Sequence, residues 1–374
     1  MSIKVGIKVS PLTVLRAGIP NYLHNLLKAF AKASDDFRFF LYTNRELPKD
    51  LQLPERFITE KVTFPSSRLQ LWYHIGLSLK MSRDGIDLFH DPVYPLPLFS
   101  GINGVVTVHD LSNYTNPSWH TFGAAMGGRL LPLYLSRAKR IIAVSHFTAG
   151  EIARHFPEQK DKVRVIHNGV SDHFTKVENE VSLNGVRERY GLPSEFFLFL
   201  GTLEPRKNLI ALLKAFAEYG HEIPYSLVIA GGTGWKYKEL LKAVSNHPLR
   251  ERIHLTGFVE SADVPALLTL AKFLAYPSIL EGFGLPVLEA MACGTPVLTS
   301  NVTSMPEIAR DAAVYVNPSS VESIGDGLKT ISSDSELREE LSKLGLARAS
   351  TFSWRKCAEE TLKVYREAAI EGVV

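Results

Sequence analysis

The sequence predicts an α/β fold made of two Rossmann-like domains in tandem, with a cleft between them. Three observations carry this. Short apolar runs alternate with amphipathic stretches along the chain, and such strand–helix alternation builds parallel, doubly wound sheets. The alternation pauses once, over the polar stretch Asn168 to Gly191, and then restarts. The chain has 374 residues, a length at which two domains are the default expectation.

In the first half, Ile3 to Val9 alternates and reads as a strand. Pro11 to Ile19 is a loop holding Arg16 and Gly18. Asn21 to Ala31 places Leu23, Leu26, Leu27 and Phe30 at helical spacing. Phe37 to Tyr42 is a strand, Val62 to Phe64 a weak one, and Leu69 to Met81 a helix. Asp87 to His90 and Gly104 to Val108 are short buried strands. Leu130 to Arg137 is helical despite Pro132, and Arg140 to Val144 and Val163 to Ile166 are strands. Residues 1–172 thus form one domain and residues 173–191 a linker.

In the second half, Phe196 to Leu200 is a strand and Asn208 to Tyr219 a helix. Leu227 to Ala230 is a strand, Trp235 to Val244 a helix, Ile253 to Leu255 a strand and Val264 to Leu270 a helix. Phe273 to Tyr276 is a buried strand, Val287 to Cys293 a short helix ended by Gly294, and Thr295 to Thr299 the next strand. Val314 to Val316 is a strand followed by two more helices, the last starting at Trp354 after Ser353, an N-cap residue type. The second domain covers residues 192–352, and residues 353–374 form the terminal helix.

The loop Ser278 to Leu285 is the most informative stretch. Gly282 and Gly284 free the backbone to aim N–H groups at an anion, and the helix start that follows adds partial positive charge. Two carboxylates, Glu281 and Glu289, flank the same spot. A carboxylate beside a phosphate is repulsive, but as a pure acceptor it suits hydroxyls on either side of one. Ribose, diphosphate and sugar have that layout in a nucleotide-sugar. The plainer alternative is a glycine-rich turn with two solvated glutamates.

Other candidates also follow strands. Gly201 precedes Arg206 and Lys207 at the mouth of a helix, where they could neutralise a diphosphate or form a solvated basic turn. Gly231 opens Gly231-Gly232-Thr233-Gly234, which lacks the full G-x-G-x-x-G of a dinucleotide site. Gly257-Phe258-Val259 could face a base or equally be a plain turn. His109-Asp110, His90-Asp91, Ser145-His146 and His167-Asn168 end strands in the first half. No D-x-D triplet, Walker A motif or G-x-S-x-G elbow occurs.

A net charge of +3 is too mild to argue for nucleic acid, although it suits an anionic substrate. Cys293 and Cys357 stand far apart, so no disulfide framework or zinc site is suggested. The first strand begins at Ile3 with no signal peptide before it, and no apolar run approaches bilayer length. A cytoplasmic location is the expectation. Ser67 to Arg83, with Trp72, Tyr73 and Lys80, and Trp119 to Arg140, with Arg129 and Arg137, could lie on the inner membrane face. The plainer and favoured reading is core-facing helices with a basic rim.

Taken together, Glu281-Gly282-Phe283-Gly284-Leu285-Pro286, Glu289 and the following Ala290-Met291-Ala292-Cys293-Gly294-Thr295-Pro296-Val297 resemble the signature of retaining GT-B glycosyltransferases of the family 4 type. Gly201 to Asn208 resembles that family's diphosphate segment. His109-Asp110, Ala143-Val144-Ser145 and Asn168-Gly169-Val170 resemble its landmarks elsewhere. The resemblance is looser over residues 50–85 and 113–130, and Gly18-Ile19-Pro20 stands where the family has a glycine pair.

The resemblance implies a GT-B fold, with a donor site in the second domain, an acceptor site in the first and a final helix returning to the first. Glu289 would hold the ribose, Glu281 the donor sugar, and Arg206 and Lys207 the leaving diphosphate without a metal or other cofactor. Gly18, Gly201, Gly231, Phe258, Val259, Gly282, Phe283, Gly284 and Leu285 would complete the donor site, and His109 would contact the transferred sugar. His90, Asp110 and Ser145 would lie on the acceptor side. Mannosyltransferases of polysaccharide assembly look most similar, so GDP-mannose is the expected donor and a saccharide or lipid-linked saccharide the acceptor. The rivals are a GT-B nucleotide-sugar epimerase, a nicotinamide-binding oxidoreductase and a non-catalytic module.

Overall fold

A computed structural model describes residues 2–13, 18–33, 36–44, 46–48, 51–62, 69–97, 100–234 and 237–370, the side chains of residues 13 and 69–72 excepted. The chain packs as two units. One is Met1–Gly169 with Ser353–Val374, the other Val170–Phe352.

The first unit holds β1 (Ile3–Lys8), β2 (Phe37–Thr43), β3 (Phe57–Lys61), β4 (Leu88–Asp91), β5 (Asn103–Val108), β6 (Ala138–Ala143) and β7 (Val163–Val165). They pair in parallel in the order β3-β2-β1-β4-β5-β6-β7. Such a sheet is covered on both faces, so its strands are near-continuous apolar runs rather than alternating ones. Val5, Ile7, Leu41, Val105, Val106 and Ile141 are all fully buried.

Helix Ile19–Lys32 buries Leu23, Leu26, Leu27 and Phe30. It packs against the final helix, Trp354–Ile370, where Phe30 and Tyr365 lie with ring centroids 5.8 Å apart. The polypeptide enters that helix through a close approach: a Cβ on Gly169 would sit 2.1 Å from the Trp354 backbone nitrogen.

The second unit holds β8 (Phe196–Leu200), β9 (Ser226–Ala230), β10 (Ile253–Gly257), β11 (Leu274–Tyr276), β12 (Val297–Ser300) and β13 (Val314–Val316). Its order is β10-β9-β8-β11-β12-β13, again parallel. Phe197 stacks on Phe273 at 5.1 Å and Phe199 on Tyr276 at 5.8 Å, which fills the space between β8 and β11. In each sheet the strand order reverses once, between β1 and β4 and between β8 and β11. Helices leave to opposite faces at such a point and open a crevice beyond the carboxyl ends of the strands.

Three segments depart from the sequence-based expectation. The weak strand lies at Phe57–Lys61 rather than Val62 to Phe64; Val62 follows it, and Thr63 and Phe64 fall outside the described residues. Only Phe57 of that edge strand is buried, stacked on Phe39 at 4.5 Å, so it lacks an apolar run.

The polar stretch 173–191 is not a bare linker. It carries helix Glu180–Arg189, capped by Asn179, whose Oδ1 accepts from Ser182 N at 3.0 Å. Leu183 and Val186 are its buried residues, too few to register as an apolar stripe. Pro132 does not interrupt a helix; it sits in the first turn of Leu131–Arg137, after a separate helix Phe122–Arg129, where its missing N–H costs nothing. Arg16, Trp235 and the side chain of Trp72 lie outside what is described.

Candidate functional site

The reversal point of the second sheet carries a charged cluster. The segment after β8 turns through a short 3-10 helix, Pro205–Lys207, and reaches Asn208 at φ 63°. Asn208 tolerates that left-handed conformation, and its Nδ2 donates to the Pro277 and Pro318 carbonyls at 3.0 and 2.7 Å. The loop is thereby pinned to the one after β11. A backbone bond from Ile279 N to Arg206 O at 2.8 Å adds to this.

Glu281 sits at the centre of the cluster. Its Oε1 accepts from Lys207 Nζ at 2.6 Å, Ser278 Oγ at 2.7 Å and Tyr276 OH at 3.0 Å. Its Oε2 accepts from Arg206 Nη1 at 3.0 Å. Arg206 also pairs through Nε with Glu204 and donates to Leu280 O at 3.0 Å. Lys207, Glu204 and Glu281 are buried, so two cations and two carboxylates share one small desolvated space.

Burial alone would raise the Glu281 carboxyl. The Lys207 ammonium and Arg206 guanidinium, with hydrogen bonds from Lys207 and Ser278, outweigh it and hold the group down to about 2. Burial, then Arg206, pulls Lys207 below the ordinary lysine range against the opposing pull of Glu281 and Glu204. Burial raises Glu204 despite Arg206.

The loop 282–284 follows. Gly282, Phe283 and Gly284 are buried and Leu285 half-buried. Ser304 Oγ donates to the carbonyls of Glu281 and Phe283 at 2.9 and 3.1 Å, and Phe352 meets the Phe283 ring edge-on at 5.8 Å. Gly284 caps helix Leu285–Ala292 at φ 100°. Glu289 on that helix is buried, and desolvation pushes its carboxyl up to about 7.

The glycines at neighbouring strand ends knit the floor of the site. Gly201 N donates to Ala230 O at 2.9 Å and Gly231 N to Gly257 O at 2.8 Å. A Cβ on Gly231 would lie 2.0 Å from the Gly201 carbonyl oxygen. Beyond β10, Val259 is buried while Phe258 is 44% exposed, its ring open to a planar partner.

The first-half candidates separate into different roles. His109 follows β5, half-buried; its Nε2 donates to Pro92 O at 2.9 Å, and Tyr22 meets its ring edge-on at 4.8 Å. Burial lowers its pKa, so it is a neutral imidazole near neutral pH.

His90 is fully buried, with Nδ1 2.6 Å from Tyr365 OH and Nε2 2.9 Å from Thr107 Oγ1. It anchors the final helix and does not face an acceptor, contrary to the sequence-based expectation. Ser145, also fully buried, caps helix His146–His155 by accepting from Thr148 N at 3.0 Å, so it too is structural. Asp110 is half-buried and braces the next turn, its Oδ1 accepting from Ser112 N at 2.8 Å and Ser112 Oγ at 2.5 Å. Gly18 precedes helix Ile19–Lys32 at φ 53° with open space where a Cβ would be.

Sequence reasoning missed one constellation. Asp91, fully buried at the end of β4, accepts from Lys8 Nζ at 3.0 Å, Tyr73 OH at 2.6 Å and Val93 N at 2.8 Å. The only local signal was Asp91 itself following His90.

Residues 187–347 match the family described as Glycosyl transferases group 1, and residues 16–174 match Glycosyltransferase Family 4. The chain is 32% identical over 343 residues to the O-antigen chain mannosyltransferase B of Escherichia coli, covering 91% of this chain and 85% of that protein. It is 34% identical over 227 residues to the serotype-specific mannosyltransferase WbdA of Escherichia coli, 59% of this chain but 28% of that longer protein. Among solved structures, sucrose-phosphate synthase from Thermosynechococcus elongatus aligns with a TM-score of 0.79 over 98% of both chains at 20% identity, a likeness of fold.

Proposed function

We infer the reaction from one premise: the chain belongs to the family 4 glycosyltransferases (glycosyl transferases group 1) and has their GT-B architecture of two parallel-sheet domains. It is a glycosyltransferase. The transferred group we assign is mannose, supported by the two relatives named as mannosyltransferases. The donor is GDP-mannose and the acceptor a saccharide or lipid-linked saccharide.

One observation carries the assignment of roles: Arg206, Lys207 and Glu281 converge at the reversal point of the second sheet, with Glu289 on the helix that follows. Arg206 and Lys207 stabilise charge developing on the leaving diphosphate, electrostatic catalysis that needs no metal. Backbone N–H groups from Gly282 to Leu285 assist, and Glu289 accepts from the ribose hydroxyls. Gly201 and Gly231 let the backbone approach the phosphates, and Phe258 and Val259 flank the base. Glu281 positions that sugar. A carboxylate held near 2 by two cations is a weak base and a poor nucleophile, which favours positioning over attack in a reaction that retains configuration.

No helix among the described residues is long and apolar enough to cross a membrane. The reaction we place at the inner membrane face, where a lipid-linked acceptor would present its sugar. Ile75, Leu79, Phe122 and Leu133 are exposed apolar side chains on the helices of the first unit that carry Arg83, Arg129 and Arg137, a composition suited to anionic lipid.

A thermal-shift screen of GDP, UDP, ADP and their hexose conjugates tests the donor, because a ligand of the native state raises apparent stability. GDP and GDP-mannose raise Tm and the other bases do not. A shift confined to uridine nucleotides would overturn the base and sugar together.

A further inference from the structure

We propose that Tyr94 and Asn113 form a recognition subsite for a neutral pyranose ring of the acceptor at the reversal point of the first sheet. The proposal rests on the transferase reading above and adds the residues and the chemistry.

Asp91, at the end of β4, is fully buried, and Lys8, at the end of β1, reaches it across the strand reversal. Ligands of open α/β sheets bind at that place. The Lys8 ammonium lies 4.8 Å from the centroid of the Tyr73 ring, and the Tyr73 hydroxyl donates to Asp91 and is 2.7 Å from Pro95 O. Lys8, the cation seen at this floor among the described residues, is thus neutralised in place by Asp91.

Tyr94 follows with φ 103°. A bulky side chain rarely adopts this conformation, and strain of this kind concentrates where a group must be aimed. Asn113 Nδ2 donates to its hydroxyl at 2.6 Å. Both residues are half-buried, so each keeps a face toward solvent. Burial raises the Tyr94 phenol, the bond from Asn113 opposes this, and the nearby charges of Asp110 and Asp91 add to the rise. Aromatic faces, a hydroxyl, an amide and a carboxylate around a compensated cation fit a ring with one apolar face and several hydroxyls.

The test measures binding of methyl α-mannopyranoside to the full chain by saturation-transfer NMR, with GDP-induced thermal shift recorded on the same samples. The wild type binds the sugar. Tyr94→Phe and Asn113→Ala weaken it about fivefold, the effect of losing one neutral hydrogen bond, and leave the GDP shift intact. Equal sugar binding by wild type and both variants overturns the proposal. So does tighter binding of mannose 6-phosphate than of the neutral sugar, lost in Lys8→Gln, which would make the place an anion site. If GDP fails to shift the wild type while sugar binding depends on Asn113, the subsite stands and the donor assignment falls.

Discussion

Arg206 and Lys207 differ in what their loss would do. If they hold the leaving diphosphate as proposed, each alanine variant lowers kcat at least about tenfold, equivalent to about 1.4 kcal/mol. Lys207 is the more buried of the two. Its replacement by methionine also leaves Glu281 short of a partner and lowers stability by about 3 kcal/mol. Steady-state kinetics and melting curves of the two variants separate the effects, and unchanged turnover in both would refute the leaving-group role.

Glu289 makes a pH prediction. Its folded pKa of about 7 lies above the ordinary carboxylate value, so the native state holds that proton more tightly than the unfolded chain. The resulting stability is complete below the ordinary carboxylate range and is lost as pH rises through 7. The ribose grip proposed for Glu289 would run the other way, because the ionised carboxylate accepts more strongly from hydroxyls. Donor KM therefore falls between about pH 6 and about pH 8 in the wild type, and Glu289→Gln flattens the profile. A wild-type profile with no step near 7 would remove Glu289 from the ribose. Glu281, held near 2, contributes stability that is lost only as pH falls below the ordinary carboxylate range.

At the scale of elements, the strands were legible because parallel strands buried on both faces are apolar throughout, as Phe196 to Leu200 is. The Glu281–Glu289 loop was legible because its residues lie within one short, glycine-punctuated segment. Helix Glu180–Arg189 was hidden by its single narrow buried edge. The Lys8–Asp91–Tyr73 cluster was hidden because its members are scattered in sequence and meet only once β1 and β4 pair. Gly201 and Gly231 tie two strand ends together, and an alanine at Gly231 has nowhere to place its Cβ except against backbone. Gly231→Ala lowers stability by about 3 kcal/mol, readable as a lower Tm, whereas Gly232→Ala, with open space at its Cβ, stays close to wild type.

At the scale of the whole chain, the first unit is completed by residues from the far end of the sequence. Tyr365 and His90 meet across 275 positions. Tyr365→Phe strips a partner from a buried imidazole and costs about 1–3 kcal/mol, measured by denaturant unfolding. Truncation after Phe352 bares the apolar side of helix Ile19–Lys32 and yields an aggregating protein, detectable by light scattering. Activity survives EDTA if Arg206 and Lys207 alone carry the leaving charge; loss restored by magnesium would show that they do not.

The quartet of Arg206, Lys207, Glu204 and Glu281 has a consequence for how fast a donor arrives. Two positive and two negative groups in one buried space sum to almost no field at a distance. The quartet itself then does little to draw an anionic donor in from solution, unlike an open basic cleft, where capture slows steeply with added salt. The quartet's share of the association rate depends only weakly on ionic strength, and discrimination among anions is left to the final ångströms of approach.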